Sequence, residues 1–179
     1  MRQAWLAGLA LLLSPLAQAD SLDLQLSSDV FSGRYSSGLL GKSANMDFGF
    51  QHHTDNGNVA TVGLEVEQIS GKRDSLALGA QVVGIFNDYD NATALAIGGR
   101  FNVGLPSLPK VRIGGHLWAA PGVTTSGAKK YVDAGVRVGY QALDRGEIYV
   151  GYRNTKIGYK NRVDHEMQDA VHVGIELSF

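Results

Sequence analysis

The chain has 179 residues, with 16 Lys plus Arg against 17 Asp plus Glu, and it contains no cysteine. This length suits one domain with its own core, and the near-neutral charge argues against a nucleic-acid partner. After residue 19 no segment approaches the roughly 18 apolar residues of a membrane helix. Membrane residence of that part therefore requires a closed β-barrel, because lipid offers no partner to an unpaired backbone group.

The first 19 residues have the pattern of a cleaved secretory signal peptide. Arg2 supplies the positive region, residues 5–16 form an apolar run, and residues 17–19 are a small-x-small cleavage site before Asp20. The run is too short to cross a bilayer as a helix. We predict that residues 1–19 are removed and that residues 20–179 form a single domain.

Apolar residues that recur at every second position predict antiparallel strands along the rest of the chain. A short hairpin covers residues 21–27 and 30–36, with its turn at Ser28 and Asp29. Eight longer segments follow, at 44–53, 58–68, 74–85, 92–103, 110–120, 131–142, 145–154 and 168–179. Each of the eight is long enough to cross a membrane. Ten strands are preferred and eight are the alternative, and both numbers are even, as in bacterial barrels.

The last predicted strand is the most informative. Its odd positions from Val171 to Phe179 are large and apolar, its even positions are small or polar, and the chain stops on Phe179. This resembles the closing strand of an outer-membrane barrel, whose end is read by the barrel assembly machinery. We expect this strand to end at the periplasm, which places the long connections 119–130 and 155–167 outside the cell.

Alternation alone leaves open which face of the sheet points outward, because a soluble barrel such as a lipocalin has its apolar face inside. The polar face carries a glycine near the middle of nearly every strand, for example Gly79, Gly135 and Gly151. Such glycines leave room for long side chains in a narrow lumen, although they could instead serve sheet curvature. They favour an inward polar face and a lipid-facing apolar face.

Charged residues on the polar face nearly balance one another. The set is Asp47, Glu65, Glu67, Arg100, Arg112, Asp133, Arg137, Glu147, Arg153 and Glu176. All the cations are arginines, whose guanidinium suits contacts with several partners. An arginine turned toward lipid would cost about 2–4 kcal/mol at the bilayer midplane. We therefore predict an ion network in the lumen, with Arg137 bound to carboxylates such as Asp133, Glu147 and Glu176.

Aromatic residues fall mainly near the two ends of the predicted strands, as in the interface girdles of membrane barrels. The periplasmic group is Tyr35, Phe101, Tyr140 and Phe179, and the outer group is Phe31, Phe50, Phe86, Tyr131 and Tyr152.

Short motifs at both ends of the predicted domain carry a family resemblance. They are Ala-Asp-Ser-Leu-Asp-Leu-Gln-Leu at 19–26, the turn at Ser28 and Asp29 before Tyr35, the recurrent strand-Gly-strand pattern, and the closing Val-His-Val-Gly-Ile-Glu-Leu-Ser-Phe. On these the chain resembles the YfaZ-like family of small outer-membrane β-barrel proteins. The resemblance implies a barrel in the outer membrane of a Gram-negative bacterium. It implies no established activity and no catalytic residue.

Candidate catalytic or metal-binding residues are few. His52, His53, His116 and His165 fall near the predicted outer rim, but no serine–histidine pair is evident. The histidine spacing is not that of a zinc site, and no cysteine is present. We predict no catalytic residue, no metal site and no cofactor.

The sequence favours a non-enzymatic barrel with a structural or surface-interaction role and a charge-filled lumen. The alternative is a narrow channel or transporter for ions or small solutes, and a lipid A hydrolase or outer-membrane protease ranks last. The expected partners are outer-membrane lipid, lipopolysaccharide and the barrel assembly machinery. No residue pattern names an extracellular ligand.

Overall fold

The computed structural model describes residues 21–38, 44–70, 74–87, 91–159 and 165–179. The predicted signal peptide lies outside these ranges. In the part of the chain that is described, no helix is long and apolar enough to cross a membrane.

Ten strands form one closed antiparallel barrel, which confirms the predicted fold and the preferred strand number. The barrel strands are β1 Ser21–Leu26, β2 Val30–Ser37, β3 Ala44–His53, β4 Gly57–Ser70, β5 Ser75–Phe86, β6 Ala92–Leu105, β7 Leu108–Ala120, β9 Lys130–Leu143, β10 Gly146–Gly158 and β11 His165–Ser178. The remaining strand, β8 Thr125–Ser126, has two residues and follows a single 3₁₀ turn at Gly122–Thr124.

The strands pair in chain order, and the first and last strands close the barrel. Ser21 of β1 lies opposite Ser178 of β11. We name this the terminal end, and it also carries the turns at 106–107 and 144–145. The opposite, loop end carries the turns at 27–29 and 54–56 and the connection 121–129. There β8 pairs with the start of β6, with Ser126 opposite Thr93.

The apolar face of the sheet points outward. Val62 and Leu64 are 48% and 47% exposed, whereas Glu65 between apolar neighbours is 1% exposed. The same alternation repeats on the longer strands, so a belt of aliphatic side chains surrounds a polar interior. This arrangement is the inverse of a soluble barrel and excludes the lipocalin-like alternative.

The aromatic girdle predicted for the outer rim is found at four positions, and the prediction is wrong at the fifth. Phe31, Phe50, Phe86 and Tyr152 are exposed on the outer face of strands that reach the loop end. Tyr131, predicted for the same girdle, is instead 1% exposed and lies inside the barrel. Successive side chains of a strand point to opposite faces of the sheet, and the next residue, Val132, faces outward. The Tyr131 side chain therefore points into the lumen, although it lies at the level of the outer girdle.

The predicted outer loop 155–167 is partly wrong, because strand extends into it from both sides. β10 continues to Gly158, and β11 begins at His165. The side chains of Thr155, Ile157 and Met167 are fully buried. The alternation therefore continues beyond the segment needed to span the membrane, and these extra residues fill the lumen.

Inward-facing glycines give space to long side chains on neighbouring strands. A Cβ on Gly151 would lie 2.6 Å from Nε2 of His172, and one on Gly135 would lie 2.6 Å from Cε1 of His116. A Cβ on Gly174 would collide with the Tyr149 ring. These contacts support the lumen-space interpretation of the glycines over sheet curvature.

Candidate functional site in the barrel lumen

Buried apolar side chains form a continuous cluster inside the barrel near its loop end, which we name the plug. Its residues come from seven barrel strands and the 121–129 connection, and all are buried. They are Val59, Val83, Ile85, Ala92, Ala94, Ala96, Trp118, Ala120, Ala128, Tyr131, Ile157 and Met167. Strands β4 to β7 and β9 to β11 contribute, so the plug contacts most of the barrel wall at this level.

Arg100 organises one group of charges below the plug. Its Nη2 lies 2.7 Å from Oδ1 of Asp47, and its Nε lies 2.6 Å from Oε2 of Glu65. Ser36 also donates a hydrogen bond to Asp47. Both carboxylates are nearly inaccessible to solvent, so loss of Arg100 would leave two buried negative charges without their main partner.

Arg137 organises a second group nearer the terminal end. Its Nη1 lies 3.0 Å from Oδ2 of Asp23, and its Nη2 is ion-paired with Glu176. The guanidinium stacks over the ring of Tyr149, with Cζ 4.6 Å from the centroid, and the Tyr149 hydroxyl donates to Asp23. One arginine thus joins strands β1, β9, β10 and β11 across the lumen.

Arg153 and Asp133 form the third group, directly below the plug. Nε and Nη2 of Arg153 each lie 2.8 Å from a different oxygen of Asp133, a bidentate pair. Thr155 donates to the same carboxylate at 2.9 Å, and Nε2 of His116 lies 3.3 Å from it. Asp133 is 3% exposed and is surrounded by these partners.

The remaining two carboxylates predicted for the network differ from each other. Glu147 pairs with Arg112, whose Nε lies 2.9 Å from Oε2 of Glu147. Glu67 lines the lumen near the terminal end and accepts a hydrogen bond of 3.4 Å from the Asn45 amide. The structure therefore brings nine of the ten predicted residues into ion pairs and places Glu67 beside an amide.

The groups of Arg100, Arg137 and Arg153 and the Arg112–Glu147 pair together form what we name the charged layer. Sequence reasoning missed several residues of this layer. Asp23, Arg34 and Tyr149 line the same cavity as Arg137. Asp23 alternates with Leu22 and Leu24, and Arg34 alternates with Gly33 and Tyr35, so the period of two already assigns both to the inner face.

Among the histidines whose side chains the structure describes, none forms a catalytic arrangement with a nucleophile. The side chain of His165 lies outside the described part. Nδ1 of His52 lies 2.8 Å from the side-chain oxygen of Asn58, and Nδ1 of His53 accepts the backbone amides of Asp55 and Asn56. These bonds stabilise the β3–β4 turn. His116 lies in the lumen, not at the rim where it was expected. Among the described residues, no group of three or more acidic, histidine or cysteine side chains could hold a metal ion.

A polar cavity of about 730 Å³ occupies the lumen below the plug. At one extreme it is lined by Ser21, Gly38 and Ser178 of the terminal end, and at the other by Val59 and Trp118 of the plug. The cavity therefore extends from the terminal rim through the charged layer. The part of its lining that the structure describes ends at the plug.

Known proteins similar to this chain include outer-membrane proteins. A family model described as YfaZ precursor matches residues 1–179. The chain is 28% identical over 183 residues to "Outer membrane protein YfaZ" of Escherichia coli (strain K12), and the match covers 100% of both proteins.

Solved structures with a similar outline include two membrane proteins. The outer membrane channel DcaP of Acinetobacter baumannii matches at a TM-score of 0.49 and 12% identity over 88% of this chain. This chain spans 54% of the DcaP chain, about half its length. A rhombohedral crystal form of the NanC porin matches at a TM-score of 0.45 and 10% identity, over 89% of this chain and 98% of that one.

The full-length family match agrees with the inverted polarity of the barrel. A lipid-facing apolar belt, a polar lumen and strand closure are what an outer-membrane protein requires. The chain belongs to the YfaZ family and is a β-barrel protein of the outer membrane.

Proposed function

We propose that this protein is a plugged, non-conducting and non-enzymatic barrel with a structural or surface-interaction role. The terminal end faces the periplasm in this proposal, and the loop end faces the outside of the cell. The observation that carries the proposal is the plug, which places buried apolar side chains inside the barrel near its loop end. An ion or polar solute that crossed it would lose its hydration without gaining a polar partner.

The charged layer supports the same conclusion. The guanidinium groups of Arg100, Arg137 and Arg153 are each bound by carboxylates from other strands. Groups that neutralise one another across the lumen tie the wall together, and a permeating ion would have to displace them. The same pairing argues against catalysis, because each of these carboxylates is already engaged by an arginine.

Planar-bilayer conductance of refolded protein tests the plug. We expect wild type to be silent and Trp118→Ala to produce conductance steps, because Trp118 is the largest fully buried side chain of the plug. Leu117→Ala is the matched control: Leu117 is adjacent in β7 but faces outward and is 56% exposed. It should remain silent. Stable steps in wild type would overturn the proposal.

The cavity of about 730 Å³ favours one alternative function, a narrow channel. It already passes through the charged layer, so only the plug separates it from the loop end. Stable wild-type conductance, unchanged by Leu117→Ala and increased by Trp118→Ala, would establish this alternative. Turnover of lipid A or peptide by the purified protein would instead support the enzyme hypothesis.

The partners that we propose follow from the outer surface. The aliphatic belt contacts outer-membrane lipid, and lipopolysaccharide surrounds the loop end. The barrel assembly machinery binds the C-terminal strand, whose last residue, Phe179, is 56% exposed and accessible to a partner. Crosslinking from position 179 during assembly would test this last contact.

A further inference from the structure

A group of uncharged polar side chains lies between the plug and the charged layer, on the wall formed by β1, β2, β3 and β11. We name it the amide cluster, and its members are Gln25, Ser32, Gln51, Gln168 and His172. All five are at least nine-tenths buried. Gln51 lies opposite Val59 of the plug, and Gln168 follows Met167 of the plug in sequence. The cluster therefore borders the plug directly.

The three glutamines are joined through one oxygen. Nε2 of Gln51 donates to Oε1 of Gln168 at 3.1 Å, and Nε2 of Gln25 approaches the same oxygen at 3.5 Å. Ser32 is the cross-strand neighbour of both Gln25 and Gln51. Gln25, Ser32, Gln51 and Gln168 thus form a compact surface although they come from opposite ends of the sequence. His172 adjoins them, two positions from Gly174, which pairs with Gln25.

Four atoms of the amide cluster have no hydrogen-bond partner among the described residues. They are Ser32 Oγ, Gln51 Oε1, Gln168 Nε2 and His172 Nδ1. Buried polar groups are normally paired, since an unpaired one costs about 1–3 kcal/mol. Ser32, Gln51 and His172 also line the cavity that reaches the terminal end. Three of the four residues therefore border a space that a solute can enter, and Gln168 lies behind them, hydrogen-bonded to Gln51.

The chemistry of these atoms defines the ligand class. Gln168 Nε2 can only donate, Gln51 Oε1 can only accept, and the Ser32 hydroxyl and His172 imidazole can do either. Hydroxyl groups both donate and accept, so they match the whole set. Arg100, Arg137 and Arg153 are each paired with carboxylates, so a charged ligand at these positions would have to displace an existing ion pair. The cavity, about 730 Å³, has the size of a small-molecule site.

We propose that the amide cluster is a binding site for a small uncharged polyhydroxyl solute, of monosaccharide size, which enters the lumen from the terminal end. The plug forms the closed end of this site. Such a site requires no conduction across the barrel. It therefore goes beyond the structural role proposed above and stands independently of it.

D-glucose is the probe, titrated into refolded protein in an amine-oxide detergent, which has no sugar headgroup. Trp118 is the only tryptophan after residue 19 and lines the cavity, so its fluorescence reports occupancy. We expect a saturable change with glucose and none with sodium chloride at matched osmolality. Gln51→Leu and Gln168→Leu should each weaken binding about tenfold, as expected for loss of one hydrogen bond in a dry site.

Gln81→Leu is the matched control, because Gln81 is a buried glutamine that lines the same cavity from β5 but is not in the cluster. It should leave the affinity unchanged. Refolding is checked by gel mobility before and after heating, and Gln→Asn at the same position replaces any leucine variant that does not refold. No saturable response in wild type, or equal affinity in all variants, would show that the cluster holds water only and would overturn the proposal.

Discussion

Trp118 of β7 and Asp133 of β9 lie directly opposite each other, and both point into the lumen. Trp118 belongs to the plug, whereas Asp133 holds the bidentate pair with Arg153. The interior therefore changes from apolar to charged within one cross-strand pair. An opening at Trp118 would therefore bring water from the loop end toward this ion pair.

Gly151→Ala should destabilise the barrel by about 1–3 kcal/mol, the usual cost of overpacking. The added methyl would lie 2.6 Å from both Nε2 of His172 and the carbonyl oxygen of Val136. Gly33→Ala is the control, because its methyl would meet only Leu24, at 3.5 Å. Urea unfolding in lipid vesicles gives both values. Equal midpoints for the two variants would contradict the lumen-space role of Gly151.

Arg137→Glu should lower the free energy of unfolding by about 3 kcal/mol, because it puts a third carboxylate beside Asp23 and Glu176. This is the lower end of the range for a buried network, since the Arg137 and Glu176 side chains remain 18% and 28% exposed. Urea unfolding is the measurement. An unchanged midpoint would mean that water screens the charges at this level of the lumen.

The control for this charge reversal is Arg145→Glu. Arg145 is exposed in the β9–β10 turn and has no ion pair among those found in the described residues. We expect a change within about 0.5 kcal/mol, as for other surface substitutions. A large loss of stability in this control would indicate that net charge, and not the Arg137 contacts, governs the result.

Val136→Cys should react with a lipid-phase thiol reagent, and Arg137→Cys should not. The two residues are adjacent in β9, so they point to opposite faces, and Val136 is 58% exposed on the outer one. Labelling of the two variants in vesicles, followed by mass spectrometry, compares them. Preferential labelling at position 137 would place the apolar face inside.

Deletion of Phe179 should lower the amount of protein that reaches the outer membrane. The residue is the exposed apolar end of the closing strand, where the assembly machinery is proposed to bind. Membrane fractionation of cells that express the full chain or the deletion measures this. Leu143→Ala removes another exposed apolar side chain near the terminal end and should have no comparable effect.

The fold was predictable because the two faces of a barrel in lipid require different residue types at alternate positions of each strand. Val62 and Gly63 illustrate this, since one must face hydrocarbon and the other must leave room in a narrow lumen. Strand ends were less predictable. Thr155, Ile157 and Met167 lie in strands beyond the part that faces the membrane. Outward-facing residues there need not be apolar, so hydropathy does not show where the strand ends. The strand continues because its inward-facing side chains still pack in the lumen.

The composition of the charged layer was largely predictable, but its pairing was not. Parity places Arg137 and Glu176 on the inner face, yet Asp133 and Glu147, also expected beside Arg137, bind Arg153 and Arg112. Partners across a lumen depend on how far each strand is displaced relative to the next, and alternation carries no information on that displacement. Which atoms of the amide cluster lack a hydrogen-bond partner depends on the same strand displacement.

The first hairpin makes one sector of the wall much lower than the rest. β1 has six residues, and its ladder with β11 ends at Val173, well short of the start of β11. The β3–β4 turn bridges this notch, because the Asn56 side chain donates to the Glu166 carbonyl at 3.0 Å. The two residues that meet across the notch are 110 positions apart in the sequence, so this contact is strongly non-local. Gln51 and Gln25 also reach Gln168 of β11 across this gap, so side chains close the sector where the backbone ladder is missing.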